Sequence, residues 1–364
     1  QTSILRVAAS TNRPIHLKKG QFMSTIERIE VFQLTDGLPH VVVRVEDSSK
    51  TVGFGECWWG MPTPADPVRG GAPIASAVEN LIKPHYLGKD SNEVQALGQR
   101  TSDYLYRYGD GGILPMALSG VDMALWDLNA RRLDTSVLEL LGGSVHKAVP
   151  AYASFPPLRT KERVFNETQR AIQHGYNAIK LHETEKELIA VAREAGGADL
   201  LIMVDVNGHF DLEDAIAFGH SIEKYNIFWY EEPVRPMRDL EAIKNVSDNV
   251  FIDIAAGENE YSLMDFKRMI DSGSIRFLQP EITKIGGISQ AIKVGHLAET
   301  MGTALCPHNF RGGLPLYACL HWGFSNPATR WFEVPWLPEG LDFAAKIPNP
   351  DIVRGCVTPP AGPG

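Results

Sequence analysis

The chain has 364 residues, 44% of them hydrophobic, which is enough for a large core and more than one ordinary domain requires. Its formal net charge is −9 and no dense basic stripe interrupts that balance, which argues against nucleic acid as a partner. No apolar stretch reaches the length of a membrane span, and Cys57, Cys306, Cys319 and Cys356 form no CxxC pair, so the composition predicts a cytoplasmic protein with reduced thiols and no membrane association.

Residues 1–22 carry Arg6, Arg13, Lys18 and Lys19 without the apolar centre of a signal peptide, and they read as a leader or extension before a natural start at Met23. Residues 23–145 read as an α+β domain. Within it, 25–34, 40–46 and 51–56 alternate like an antiparallel meander, and helical spacing follows at 74–82, 93–104, 114–132 and 136–141. From 146 to 342 the pattern changes. Runs rich in β-branched and aromatic residues at 147–155, 177–182, 200–207, 226–232, 251–258, 275–281, 303–309 and 329–334 alternate with helical patterns at 161–174, 183–195, 212–225, 237–246, 262–272 and 289–301. Eight such runs predict a closed parallel α/β barrel, whose chemistry belongs at the carboxyl ends of the strands. The segment 343–364, rich in proline and glycine, is expected to pack back on the first domain.

Polar residues sit where that rule wants them. Lys180, Asp205, Glu231, Glu258, Glu281, His308 and Glu333 follow one another at intervals of 23 to 27 residues, about one strand, one helix and two loops. A parallel repeat brings them all to one face. Asp205, Glu231 and Glu258 would end three adjacent strands, and ionised carboxylates at that range repel unless a cation or protonation relieves them. Any one of them alone could pair with an arginine or cap a helix; three in register favour a divalent metal, and an all-oxygen set suits Mg²⁺ better than zinc. Lys180 and His182, two apart on a strand, share a face. His308 and Glu281 would end neighbouring strands, where a carboxylate fixes the imidazole's tautomer and raises its basicity; a structural histidine satisfied by an acid is the alternative.

The runs AIKLH, VDVN, WYEEP, AAGEN, QPEITKIGG, CPHNF and WFEVP, together with ALSGVDMALWDL at 117–128, make the chain resemble the enolase superfamily, in its mandelate racemase-like branch. The resemblance covers nearly everything from Thr25 onward. It implies a modified TIM barrel, (β/α)7β, over 146–342, with 23–145 as an α+β capping domain. It also implies one Mg²⁺ on Asp205, Glu231 and Glu258, and abstraction of the proton α to a substrate carboxylate to give a metal-stabilised enolate. Lys180 would face that carboxylate, His308 with Glu281 would act as base or acid, and Glu333, when protonated, would hydrogen-bond the carboxylate. If a β-hydroxyl leaves, the result is dehydration of an aldonate or aldarate to a 2-keto-3-deoxy acid. If the proton returns, the result is a racemase, epimerase or cycloisomerase acting on a small 2-hydroxy or amino carboxylate. A non-catalytic barrel would predict damage to the metal trio or the proton-transfer residues, and none is seen.

Two departures from the branch stand out. Its second barrel strand usually ends in Lys-x-Lys, but here the second position is His182, which could abstract the proton, orient the substrate or mark a narrower substrate class. Glu281 stands where aspartate is more frequent, and Lys284 reads as structural. Substrate-contacting candidates are Trp58 and Trp59 in GECWWGMPTP at 55–64, the glycine-rich 107–112, and Tyr152, Asn207 and Asn309 at strand ends. The expected partner is a small-molecule carboxylate, and aromatic-rich surfaces on the first domain suggest a homo-oligomer.

Overall fold

The structure is a computed structural model and describes residues 24–34, 40–58, 71–337 and 348–364. Trp59, Met23 and the proposed leader 1–22 lie outside the described residues, as does most of the loop at 55–64.

Strands β1 (Ile26–Leu34), β2 (His40–Asp47) and β3 (Val52–Cys57) form an antiparallel sheet in the order β1-β2-β3. On β2 the alternation is strict: Val41, Val43 and Val45 are buried, while Arg44 faces outward and pairs with Glu30 at 2.5 Å and Glu46 at 2.6 Å. The long helix Ile113–Arg132 lies on this sheet through backbone contact. A Cβ at Gly53 would fall 2.1 Å from the Ala124 carbonyl, and one at Gly55 would fall 2.2 Å from that of Gly120. The helix is buried on almost every side because the barrel covers the face that the meander does not.

The barrel strands are β4 (Val149–Ser154), β5 (Ala178–Leu181), β6 (Leu201–Asp205), β7 (Ile227–Glu231), β8 (Ile254–Ala256), β9 (Phe277–Leu278), β10 (Ala304–Leu305) and β11 (Phe332–Pro335). Neighbours pair in parallel along the chain from β4 to β10, β11 pairs with β4, and a parallel bridge between Leu305 and Thr329 closes the ring. Tyr152, Ala178, Met203, Trp229, Ala255, Phe277 and Cys306 fill the interior, and the residues between them pack outward against the helices. A last strand, β12 (Cys356–Val357), pairs antiparallel with β4, and beyond it the Gly364 N–H bonds the Thr135 carbonyl at 3.0 Å.

The strands are shorter than the apolar runs predict, most of all β9 and β10. At the mouth the chain leaves the ladder through left-handed residues: Asn207 (φ 44°) after Asp205, Glu232 (φ 43°) after Glu231, and Gly257 (φ 134°) before Glu258. The helix Leu314–Phe324 has no counterpart in the sequence pattern. It is apolar on nearly all sides, so no 3.6-residue period marks it, and only Pro315 after Gly312-Gly313 signals its start. Among the described residues no helix is long and apolar enough to cross a membrane.

Candidate metal and proton-transfer site

Asp205 and Glu231 are the last residues of β6 and β7, paired in register, and Glu258 follows β8 by two positions. One carboxylate oxygen from each lies within 4.8 Å of the others, and all three residues are buried. Trp229 Nε1 donates to Glu231 at 2.8 Å, and the Asn207 N–H donates to Asp205 at 2.9 Å, so the acids are held from outside the cluster.

Lys180, fully buried on β5, reaches two of the three. Its Nζ lies 2.6 Å from Glu231, 2.9 Å from Glu333 and 3.3 Å from Asp205. Burial alone would discharge it, but the charges of Glu231 and Glu333 outweigh burial and hold the ammonium well above lysine's ordinary value. Burial and the charge of Asp205 push Glu231 up to about 8, whereas Asp205 is held down, against burial, by Lys180 and His182. The repulsion from Asp205 that helps raise Glu231 is what a divalent cation held among the three acids would relieve.

His182 directs Nε2 at Asp205, 3.1 Å away, while Nδ1 meets the Phe155 carbonyl. A carbonyl can only accept, so Nδ1 carries a proton; burial lowers the ring's pKa, but the charge of Asp205 outweighs it and favours a second proton on Nε2. Facing it across the site, His308 Nδ1 lies 2.7 Å from Glu281, and Nε2 lies 2.5 Å from Glu258 and 3.9 Å from Glu333. Thr283 holds the other Glu281 oxygen through its N–H at 2.9 Å and its hydroxyl at 2.6 Å. Burial opposes charge on His308, but Glu258 and Glu333 prevail and keep it an imidazolium. Although burial favours the acid form of Glu333, Lys180 and His308 hold its pKa down to about 2.

The substrate-contact candidates separate. Tyr152 points into the barrel interior with its ring edge-on to Trp229, beneath Lys180, whose Nζ is 5.8 Å from the ring centre. Asn207 is exposed, and Asn309 is buried with its amide donating to the Arg311 carbonyl at 2.6 Å. The Trp58 ring lies over Lys284, 4.0 Å from ring centre to Nζ, and the Trp58 backbone N–H donates to the Thr283 carbonyl at 3.2 Å. Gly111 of the 107–112 loop packs on Tyr261 at the rim.

Three residues enter the site without having been singled out for it. Ser154 ends β4 as a buried hydroxyl that helps hold down the pKa of Glu333, signalled only by its place two residues after Tyr152. Lys284 is buried, 3.0 Å from the Asn259 amide oxygen and 3.9 Å from Glu258. Glu232, the second acid of WYEEP, is buried beside Asn259, and burial pushes its carboxyl well above the usual range.

Comparison with known proteins agrees with this geometry. The family description "Mandelate racemase / muconate lactonizing enzyme, N-terminal domain" matches residues 32–142, and "Enolase C-terminal domain-like" matches residues 163–364. The chain is therefore an enzyme of the enolase superfamily, in its mandelate racemase/muconate lactonizing branch. It is 30% identical to an arabinonate dehydratase of Saccharolobus solfataricus, over 89% of this chain and 86% of that protein. It is 29% identical to a D-galactarolactone cycloisomerase of Agrobacterium fabrum, over 90% and 88%. A racemase from Streptomyces coelicolor, solved with bound magnesium, superposes with a TM-score of 0.80 at 28% identity, covering 93% of this chain and 96% of that one.

Proposed function

We propose that this enzyme removes the proton α to the carboxylate of an acid sugar, an aldonate or aldarate, and expels the β-hydroxyl to give a 2-keto-3-deoxy acid. The observation that carries this reading is the placement of two imidazoles, His182 and His308, on either side of one buried carboxylate trio. Asp205, Glu231 and Glu258 would hold the metal, and their all-oxygen donor set fits Mg²⁺. When bound there, the ion supplies positive charge where the substrate carboxylate becomes more negative.

The chain's own groups do the rest. Lys180 offers its ammonium to the same carboxylate. His182 Nε2, its tautomer fixed by the Phe155 carbonyl, takes the α-proton as the C–H bond breaks. The electron pair moves to the α–β bond, the β C–O bond breaks, and His308 in its imidazolium form gives its proton to the departing hydroxide, releasing water. Glu281 compensates the charge on His308 throughout. The enol so formed tautomerises to the keto acid.

The similarity to a D-galactarolactone cycloisomerase supports a second reading, in which the same proton is removed but no water is lost. Incubation with a panel of acid sugars and Mg²⁺ in D₂O separates the two. A 2-keto-3-deoxy product that disappears with EDTA supports dehydration, and α-deuterium uptake with an isomeric product supports the alternative. Absence of both product and exchange across the panel would overturn the acid sugar reading.

A further inference from the structure

The helix Ile288–Met301 begins without a cap of its own. Gly287 stands at its N-cap with φ 80° and no side chain, and the first N–H groups of a helix have no partner within it. One such partner, and two contacts beside it, come from the other domain. Asp122 accepts the Ser289 N–H at 3.0 Å, Ser119 Oγ accepts the Gly286 N–H at 2.9 Å, and Trp126 Nε1 donates to Ser289 Oγ at 3.0 Å. Ser119, Asp122 and Trp126 are spaced for one face of the helix Ile113–Arg132, so the ALSGVDMALWDL run acquires a physical role. A Cβ at Gly287 would sit 2.5 Å from Asp122 Oδ2, and its φ is left-handed, so this position requires glycine on two counts.

The turn that is gripped is the one that carries Glu281 and Lys284. The N–H groups of Lys284 and Ile285 bond the Glu281 carbonyl at 2.9 and 3.2 Å, and the Gly287 N–H bonds that of Ile282 at 3.2 Å, making 281–287 one compact unit. Strand β9 ends at Leu278, so its own ladder stops short of Glu281, which meets its neighbour only through an isolated bridge to His308. We propose that Ser119, Asp122 and Trp126 are positioning residues: by capping this helix across the domain boundary they set Glu281, and through it the orientation of His308. The catalytic consequence rests on the proton-transfer reading above, whereas the geometric one does not.

The test uses the full chain with Asp122→Ala, Asp122→Asn as the conservative replacement, and Ser119→Ala as a milder deletion should Asp122→Ala not fold. Imidazole ¹H–¹⁵N spectra report the His308 Nδ1–H against Glu281, titration reports Mg²⁺ binding, and keto-acid formation reports the step that His308 assists. In a cooperatively folded Asp122→Ala or Ser119→Ala the His308 resonance shifts or broadens, Mg²⁺ affinity stays within about twofold of the parent, and keto-acid formation slows roughly tenfold to a hundredfold, as displacement of a reacting group by a fraction of an ångström predicts. Asp122→Asn recovers most of both signals. An unchanged His308 resonance in the folded variants overturns the proposal. Absence of keto-acid formation in the parent protein counts against the proposed function alone, because the resonance still decides the positioning role.

Discussion

His308 Nδ1 lies 2.7 Å from Glu281 while its Nε2 lies 2.5 Å from Glu258, so one imidazole joins a charge-compensating acid to a member of the metal trio. Replacing it with asparagine leaves a neutral amide that cannot carry the proton. His308→Asn is expected to slow product formation by about 10²- to 10⁴-fold, and Glu281→Gln by roughly tenfold to a hundredfold, since the amide still orients the ring without compensating its charge. Initial rates of keto-acid formation measure both.

His182 is expected to be the group that takes the α-proton. With His182→Asn, deuterium exchange at the α-carbon should fall by roughly 10²-fold or more while Mg²⁺ still binds. Exchange at the parent rate would put the base elsewhere in the site.

Lys180 neutralises carboxylates that have no solvent to turn to. Lys180→Met should destabilise the protein by about 3–5 kcal/mol in EDTA, the usual result of leaving buried charge without its partner. Because Mg²⁺ restores positive charge to the same cluster, the rise in Tm on adding it should be larger in the variant than in the parent. Equal shifts, read by thermal unfolding with and without MgCl₂, would mean that the ammonium and the metal do not share these acids.

His321 supplies an acid-sensitive point away from the site. Its buried Nδ1 accepts the Leu138 N–H at 3.2 Å, and burial lowers its pKa from 6.5 to about 4. The folded state thus binds fewer protons than the unfolded one between these values. Its contribution is fully present above pH 6.5 and is lost as pH falls towards about 4, by at most about 3 kcal/mol. Urea unfolding at pH 7, 6 and 5 should show that decline, and His321→Gln should flatten it.

Gly55 is where sheet and helix touch through their backbones. Gly55→Ala would place a methyl 2.2 Å from the Gly120 carbonyl and should destabilise the protein by about 3 kcal/mol or more, read as a lower midpoint in chemical denaturation.

The sequence by itself determined the alternation of strand and helix and the place of each polar residue at a strand end, because both are periodic properties of the chain. Lys180, Asp205, Glu231, Glu258, Glu281, His308 and Glu333 could be assigned to one face from spacing alone, and the family from the runs around them. What that spacing could not carry was the contact made by each atom. That His182 turns Nε2 inward follows from a carbonyl 27 residues away, and that Lys284 meets Glu258 follows from two loops folding together. The helix Leu314–Phe324 was hidden because burial on all sides removes the amphipathic signal. The ion pairs of Glu333 depend on Lys180 and His308 arriving from other strands. The grip of Ser119 on Gly286 spans 167 residues and two domains. Only barrel closure and domain docking bring such groups within hydrogen-bonding distance, and those are decided by the packing of the whole chain.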